Sequence, residues 1–367
     1  METAAGRDED TQAARTVDAM PLEEQVGQLI CAPVPGTELD VETAAFFREC
    51  HVGNVLLLGR NVEAPAQLHA LTARVQALCG TGRRPGLPAL IAADQEGGRV
   101  QRLKPPATSF PSAMALGATR SAAHARHWGL ATARELRSAG INTNFAPVLD
   151  VNNNPRNPVI GTRSFGEAVE LVTRLGTAAL LGLREGGAVA VAKHFPGHGD
   201  THVDSHYDLP AIEHGLARLR ATELPPFGAV IGAGVPAIMS AHIAFSALDP
   251  AGEGLPATLS HAVLTGLLRD ELGFDGVIVS DAMRMEAIAS RWGVVEGAIR
   301  FIAAGGDLVE ALADDRAVYE AILAAVRSGR IPAGQVRRSA MRIARLKRWV
   351  AAQGPADPAW LGAPEHR

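Results

Sequence analysis

Eight short apolar runs, most of them separated by amphipathic stretches, constrain this chain more than any other feature. The runs occupy residues 29–32, 54–58, 89–93, 143–146, 188–192, 237–240, 277–280 and 307–309. Helical periodicity lies between most of them, clearest over 65–78, 122–138, 167–183, 214–231, 260–272, 285–304 and 316–328. Continuous apolar strands alternating with helices mean a parallel sheet buried on both faces. Eight repeats predict an α/β chain folded as a single (β/α)8 TIM-type barrel. A further helix is expected over 331–350, and nothing in the composition marks a second folded unit. Residues 1–18, polar and acidic, read as a disordered N-terminal tail, 19–350 as the folded barrel, and 351–367 as a Pro-rich C-terminal tail.

Composition excludes several classes. With 47% hydrophobic and 20% charged residues the chain is that of an ordinary soluble protein. Its 35 basic and 39 acidic residues leave a formal charge of -4, so no strong field points to nucleic acid or an anionic membrane. No apolar run is long enough to span a bilayer, and no leader is evident. The three cysteines, Cys31, Cys50 and Cys79, lack C-x-x-C pairing and suggest reduced thiols in a cytoplasmic protein.

A barrel collects its chemistry at the C-terminal ends of the strands. Polar residues stand at those ends here: Asp94, Glu96 and Arg99, Asp150 and Arg163, Lys193 and His194, His242, Asp281 and Glu310. The densest stretch runs from Lys193 to Pro210, with four histidines and three aspartates. Pro196, Gly197 and Gly199 break any helix there, which predicts a mobile catalytic loop after strand five. Histidines at 194, 198, 202 and 206 are spaced as if for a metal, but four-residue spacing has no geometric meaning outside a helix. Asp204 and His206, two apart in an extended loop, would point the same way, so the carboxylate could fix the ring's tautomer and make His206 a general acid. A loop made polar for solubility is the alternative. Asp281, at the tip of a buried strand, is placed as a nucleophile or as the N-cap of the next helix; spacing alone leaves both open. Asp94 to Arg102 could grip hydroxyls or brace its own loop with ion pairs. The G-x-G-x-x-A match at Gly232 follows a helical pattern and is weak, and no G-x-S-x-G elbow exists.

Residues 193–206, Lys-His-Phe-Pro-Gly-His-Gly-Asp-Thr-His-Val-Asp-Ser-His, resemble the signature of glycoside hydrolase family 3, most closely its β-N-acetylglucosaminidase branch. Residues 94–102, 145–150, 160–166, 239–243, 256–260 and Ser280-Asp281 resemble further elements of that family, so the likeness covers about 21–350. It implies that Asp281 is the nucleophile and that His206, partnered by Asp204, is the general acid/base. Asp94, Arg102, Arg163, Lys193 and His194 would then hold an N-acetylglucosamine unit. It implies no cofactor, no metal, a small carbohydrate as partner, and a monomer. The expected reaction is release of terminal β-linked N-acetylglucosamine, from muropeptides in the family's usual role. A β-glucosidase, a glycosidase of secondary metabolism and a non-catalytic sugar-binding barrel are the alternatives. Two positions depart from the family pattern: Ala282 stands where many members carry a second acid, and Thr162 replaces a frequent acid before Arg163.

Overall fold

The computed structural model describes residues 4–80, 86–252 and 254–366. Seven parallel strands form one curled sheet in chain order: β1 (Cys31–Pro33), β2 (Asn54–Leu57), β3 (Leu90–Ala93), β4 (Thr143–Asn144), β5 (Val189–Phe195), β6 (Ala237–Ser240) and β7 (Val277–Val279). The eighth run closes the ring with backbone bonds to both edges. Ser280 N–H donates to Leu308 O at 2.9 Å on the β7 side, and Cys31 N–H donates to Val309 O at 2.8 Å on the β1 side. Strands β2, β3, β5, β6 and β7 are buried along their whole length, the burial expected of a parallel sheet wrapped by helices.

The helices follow the apolar periodicity, with boundaries set by local chemistry. Ser121 caps Ala122–Ser138 by accepting from His124 N–H at 3.2 Å, and Pro65 opens Pro65–Cys79, where its missing N–H is harmless. Two expected helices are each broken in two. The 214–231 stretch divides into Leu216–Thr222 and Pro225–Gly232 at a Pro-Pro pair, and the 285–304 stretch into Glu286–Ala289 and Val294–Ala303 at Gly293, whose φ is +76°.

Both expected tails differ from the structure. Residues Ala4–Asp18 form a helix packed on Ala333–Ala352. Its acidic composition hides an apolar i,i+4 pair, Ala13 and Val17, both fully buried. The basic face of the partner helix supplies Arg337 to Asp18 at 2.6 Å and Arg345 to Asp10 at 2.9 Å. Residues 351–352 complete that partner helix, and 357–366 strap the outside of Ala122–Ser138. There Ser138 Oγ donates to Asp357 O at 2.6 Å, His366 Nδ1 meets Glu135 Oε1 at 2.9 Å, and the Arg134 guanidinium lies 4.1 Å from the Trp360 ring centre. Among the described residues no helix is long and apolar enough to cross a membrane. Cys31, Cys50 and Cys79 are buried, and none forms a disulfide among the described residues.

Candidate active site

Parallel strands deliver their ends to one rim, and there Asp94, Lys193, His206, Asp281 and Glu310 line a common cavity of about 230 Å³. Arg102, Arg163 and His194 line it too. Every residue expected to act on a sugar, except Asp204 behind His206, therefore faces one space.

One wall is an ion network. Lys193 Nζ donates to Asp94 Oδ1 at 2.8 Å and to Glu96 Oε1 at 2.7 Å. Arg102 Nη2 holds the other Asp94 oxygen at 2.9 Å, and Arg163 grips Glu96 through Nε and Nη2, both at 2.8 Å. Burial pushes the Asp94 carboxyl up, but the Lys193 and Arg102 charges outweigh it and leave it lowered. Burial is likewise outweighed at Glu96, which Lys193 and Arg163 hold well below the usual carboxylate range. Both expectations for the Asp94 segment are met by different residues: Glu96 is the buried brace, while Asp94 and Arg102 keep faces toward the cavity. Arg163 has its acidic partner across the rim in Glu96, so the missing acid at Thr162 is not needed to seat it.

Asp150, after β4, organises the next wall. Its Oδ2 accepts from His194 Nδ1 at 2.7 Å, and its Oδ1 accepts from the backbone N–H of His198 at 2.7 Å and of His194 at 3.3 Å. The first bond leaves His194 Nε2 on the cavity side, where Arg163 Nη2 stands 3.5 Å from it. Burial raises the Asp150 carboxyl, and the His194 and His198 contacts outweigh it, leaving it lowered. A depressed carboxyl contributes stability above its unfolded value and loses it as pH falls through the folded one. Asp150→Ala should therefore cost about 3–5 kcal/mol at neutral pH, since it strands three buried donors, and the deficit should shrink on acidification below about pH 4. Urea unfolding at several pH values measures this; a loss under about 1 kcal/mol would remove Asp150 as the anchor.

The expected loop begins three residues late. Strand β5 continues through Lys193 to Phe195, which is why Lys193 and His194 are rigidly presented. The loop is also anchored at its base by side chains rather than by a regular element. Asn157 Nδ2 donates to His198 O at 2.8 Å and Gly199 O at 3.0 Å, and His198 meets Thr201 Oγ1 at 2.8 Å and Ser205 Oγ at 3.2 Å. Burial lowers the His198 pKa to about 4, so the ring is neutral at neutral pH. Gly199 is required by proximity: a Cβ there would stand 1.8 Å from Val151 O. Asp204 and His206 meet, though in a turn rather than an extended segment. Asp204 Oδ1 accepts from His206 Nδ1 at 2.8 Å and from His206 N–H at 2.9 Å, while Asp204 O accepts from Tyr207 N–H at 2.9 Å. The His206 side chain is 58% exposed, so its ring reaches the cavity from the solvent side. The histidines spaced by four thus have separate partners: His194 binds Asp150, His198 binds Thr201 and Ser205, and His206 binds Asp204.

Asp281 sits just past β7. The following helix is Glu286–Ala289 with Met285 at its N-cap, so capping does not explain Asp281. Its Oδ1 accepts from Ala282 N–H at 2.8 Å. Burial raises this carboxyl, but His242, His194, the Ala282 amide and Lys193 bring it down to about 2, so it is ionised at neutral pH. His242 holds the Ala282 backbone in place, with Nε2 donating to Ala282 O at 3.1 Å. Sequence reasoning named Asp150, Glu96, His242 and Glu310 only as strand-end residues, and that position was their signal. His198 and Arg284, which also line the cavity, had no such signal.

A family model described as the glycosyl hydrolase family 3 N terminal domain matches residues 21–346. Beta-hexosaminidase A of Pseudoalteromonas piscicida is 40% identical over 357 residues, covering 90% of this chain and 59% of that protein. A glycoside hydrolase family 3 beta-N-acetylglucosaminidase from Paenibacillus sp. str. FPU-7 superposes with a TM-score of 0.89 at 45% identity, over 92% of this chain and 64% of that one. Beta-N-acetylhexosaminidase from Beutenbergia cavernae DSM 12333 superposes with a TM-score of 0.82 at 32% identity, over 89% of this chain and 98% of that one. The chain thus spans less than two thirds of the first two of these.

Proposed function

This chain belongs to glycosyl hydrolase family 3, and on that premise we propose that it is a retaining β-N-acetylglucosaminidase acting by double displacement. One observation carries the reading. An ionised carboxylate, Asp281, and a histidine backed by a carboxylate, His206 with Asp204, line the same cavity as the Asp94–Lys193–Arg102 cluster. Retaining hydrolysis needs a carboxylate nucleophile and a proton donor on either side of the glycosidic bond. In the first step an Asp281 oxygen bonds to the anomeric carbon, the glycosidic C–O bond breaks, and His206 gives its proton to the leaving oxygen. In the second, His206 takes a proton from water, the water oxygen displaces Asp281, and N-acetylglucosamine leaves with retained configuration. Asp94, Arg102, Arg163, Lys193 and His194 hold the sugar's hydroxyls and acetamide, and loop motion around His206 admits and releases it. The beta-hexosaminidase and beta-N-acetylglucosaminidase relatives favour N-acetylglucosamine over glucose as glycone. Turnover of a chromogenic β-N-acetylglucosaminide, well above that of the matching β-glucoside, is expected; the reverse preference, or no turnover of either, would remove this reading.

The leaving group is proposed to be an anionic fragment of peptidoglycan. Arg284 supports this. It is exposed at the cavity wall and, among the described residues, has no carboxylate within 4 Å, whereas Arg102 and Arg163 are both paired. A lactyl carboxylate on the sugar beyond the cleaved bond would meet it. Arg284→Ala should raise KM about 3- to 10-fold for a carboxylate-bearing aglycone while leaving a neutral aryl glycoside unchanged. Equal effects on both substrates would remove the anionic-aglycone reading.

A further inference from the structure

Besides Glu96, which is committed to Lys193 and Arg163, the proposed reaction leaves one carboxyl lining this cavity unused, Glu310. It stands at the end of the eighth run, and its backbone is fixed from both sides. Its N–H donates to Ser280 Oγ at 2.9 Å, and its carbonyl accepts from Met283 N–H at 2.8 Å. The residue is only 5% exposed, and that exposure is to the cavity it lines. The other acids there are answered: Asp94 by Lys193 and Arg102, Glu96 by Lys193 and Arg163, Asp281 by the Ala282 amide. Among the described residues the Glu310 carboxyl has no hydrogen bond, and no cation lies within 4 Å of it. The carboxyl is therefore open to the cavity, where a ligand group can complete its bonds.

The charged groups facing Glu310 decide its form. Asp94 approaches from the end of β3 and Asp281 from the end of β7; Lys193 on β5 and Arg284 after β7 oppose them. Burial pushes the Glu310 carboxyl well up, the Asp94 and Asp281 charges push it further, and the two cations only partly offset this. Protonation is thereby favoured, and a protonated Glu310 has one O–H to give and a carbonyl oxygen to accept. That matches a sugar hydroxyl, which also gives one hydrogen and accepts, and it does not match a carboxylate or phosphate beside Asp94 and Asp281.

We propose that Glu310 is a specificity-determining residue of the sugar subsite, exchanging a donor–acceptor pair of hydrogen bonds with one hydroxyl of the glycone. The assignment rests on the β-N-acetylglucosaminidase reading for the identity of that glycone. Its consequence is selection for a neutral, hydroxylated sugar and exclusion of acidic or phosphorylated ones at that position. The interaction persists while Glu310 stays protonated and is lost as pH rises through its folded value.

The test uses the full chain, with Glu310→Gln and Glu310→Met beside the wild type. Glutamine keeps a neutral donor and acceptor, while methionine fills the space with neither. Calorimetric binding of N-acetylglucosamine, which needs no turnover, should weaken about 10- to 100-fold in Glu310→Met and less than about 5-fold in Glu310→Gln. Wild-type binding should weaken as pH rises through the folded Glu310 value, and Glu310→Gln should lose that limb. Among monodeoxy N-acetylglucosamines, one should bind wild type and Glu310→Met equally, which identifies the hydroxyl. Equal losses in the two variants, or an undiminished Glu310→Met effect with every deoxy sugar, would overturn the assignment. Should Glu310→Met not fold, an unchanged pH limb in Glu310→Gln would overturn it alone. Wild-type failure to bind the sugar or turn over its aryl glycoside would instead refute the glycosidase reading.

Discussion

Asp281→Ala and Asp281→Asn should each abolish steady-state hydrolysis of β-N-acetylglucosaminides, lowering kcat by several orders of magnitude while far-ultraviolet circular dichroism stays native. The size follows from the chemistry: without the carboxylate there is no covalent route, and water must attack the anomeric carbon unaided. The fold should survive because, among the described residues, Asp281 is neither a helix cap nor a member of an ion pair, and its one side-chain hydrogen bond is to the adjacent Ala282 amide. With the carboxyl at about 2, Asp281 is already ionised from about pH 3 upward, so an acid limb of kcat/KM near pH 5 or above must belong to another group. A slow substrate carrying fluorine beside the anomeric carbon should label wild-type protein at Asp281 and leave Asp281→Asn unlabelled. Near-normal turnover of either variant, or label on a different residue, would defeat the nucleophile assignment.

His206→Ala should separate substrates by leaving group. Alkyl and sugar aglycones, which depart only when protonated, should lose roughly 10²- to 10⁴-fold in kcat/KM. Dinitrophenyl glycosides need little protonation and should lose far less. Asp204→Ala should give a milder version of the same pattern, because it removes the acceptor at 2.8 Å from His206 Nδ1 and leaves the ring itself. Equal slowing of both substrate classes by His206→Ala would end the general-acid assignment. Attention would then move to His202, exposed on the same loop, because His198 is buried and committed to Thr201 and Ser205. Since the base of the loop is tied down through His198, Gly199 and Asn157, the motion that admits substrate should be confined to about 202–208. Hydrogen exchange with and without N-acetylglucosamine should show protection gained there and little change at 197–201.

The barrel was legible because its signal is local and repeated. A strand buried on both faces is mostly apolar, so the eight runs stood out, and their order and the rim followed. The glycine and proline punctuation after β5 likewise announced a loop, since those residues exclude regular structure on their own account. Asp281, Lys193 and His194 were legible for the same reason: the end of a strand is a position the sequence specifies.

Tertiary contact decided the remainder. The order of residues 4–18 depends on Ala13 and Val17 meeting a helix more than 300 residues away, and that of 357–366 on the outer face of Ala122–Ser138. Neither segment carries in itself the apolar area or the charges that hold it. Whether Asp94 braces or grips depended on Lys193 from another strand, and the raised Glu310 carboxyl on burial and on two carboxylates brought beside it by barrel closure. A residue's chemical type is written in the sequence. Its protonation state and its partners depend on burial and on neighbours set by the fold, because electrostatic energies vary with distance and with exclusion of water, and neither quantity exists along the chain alone.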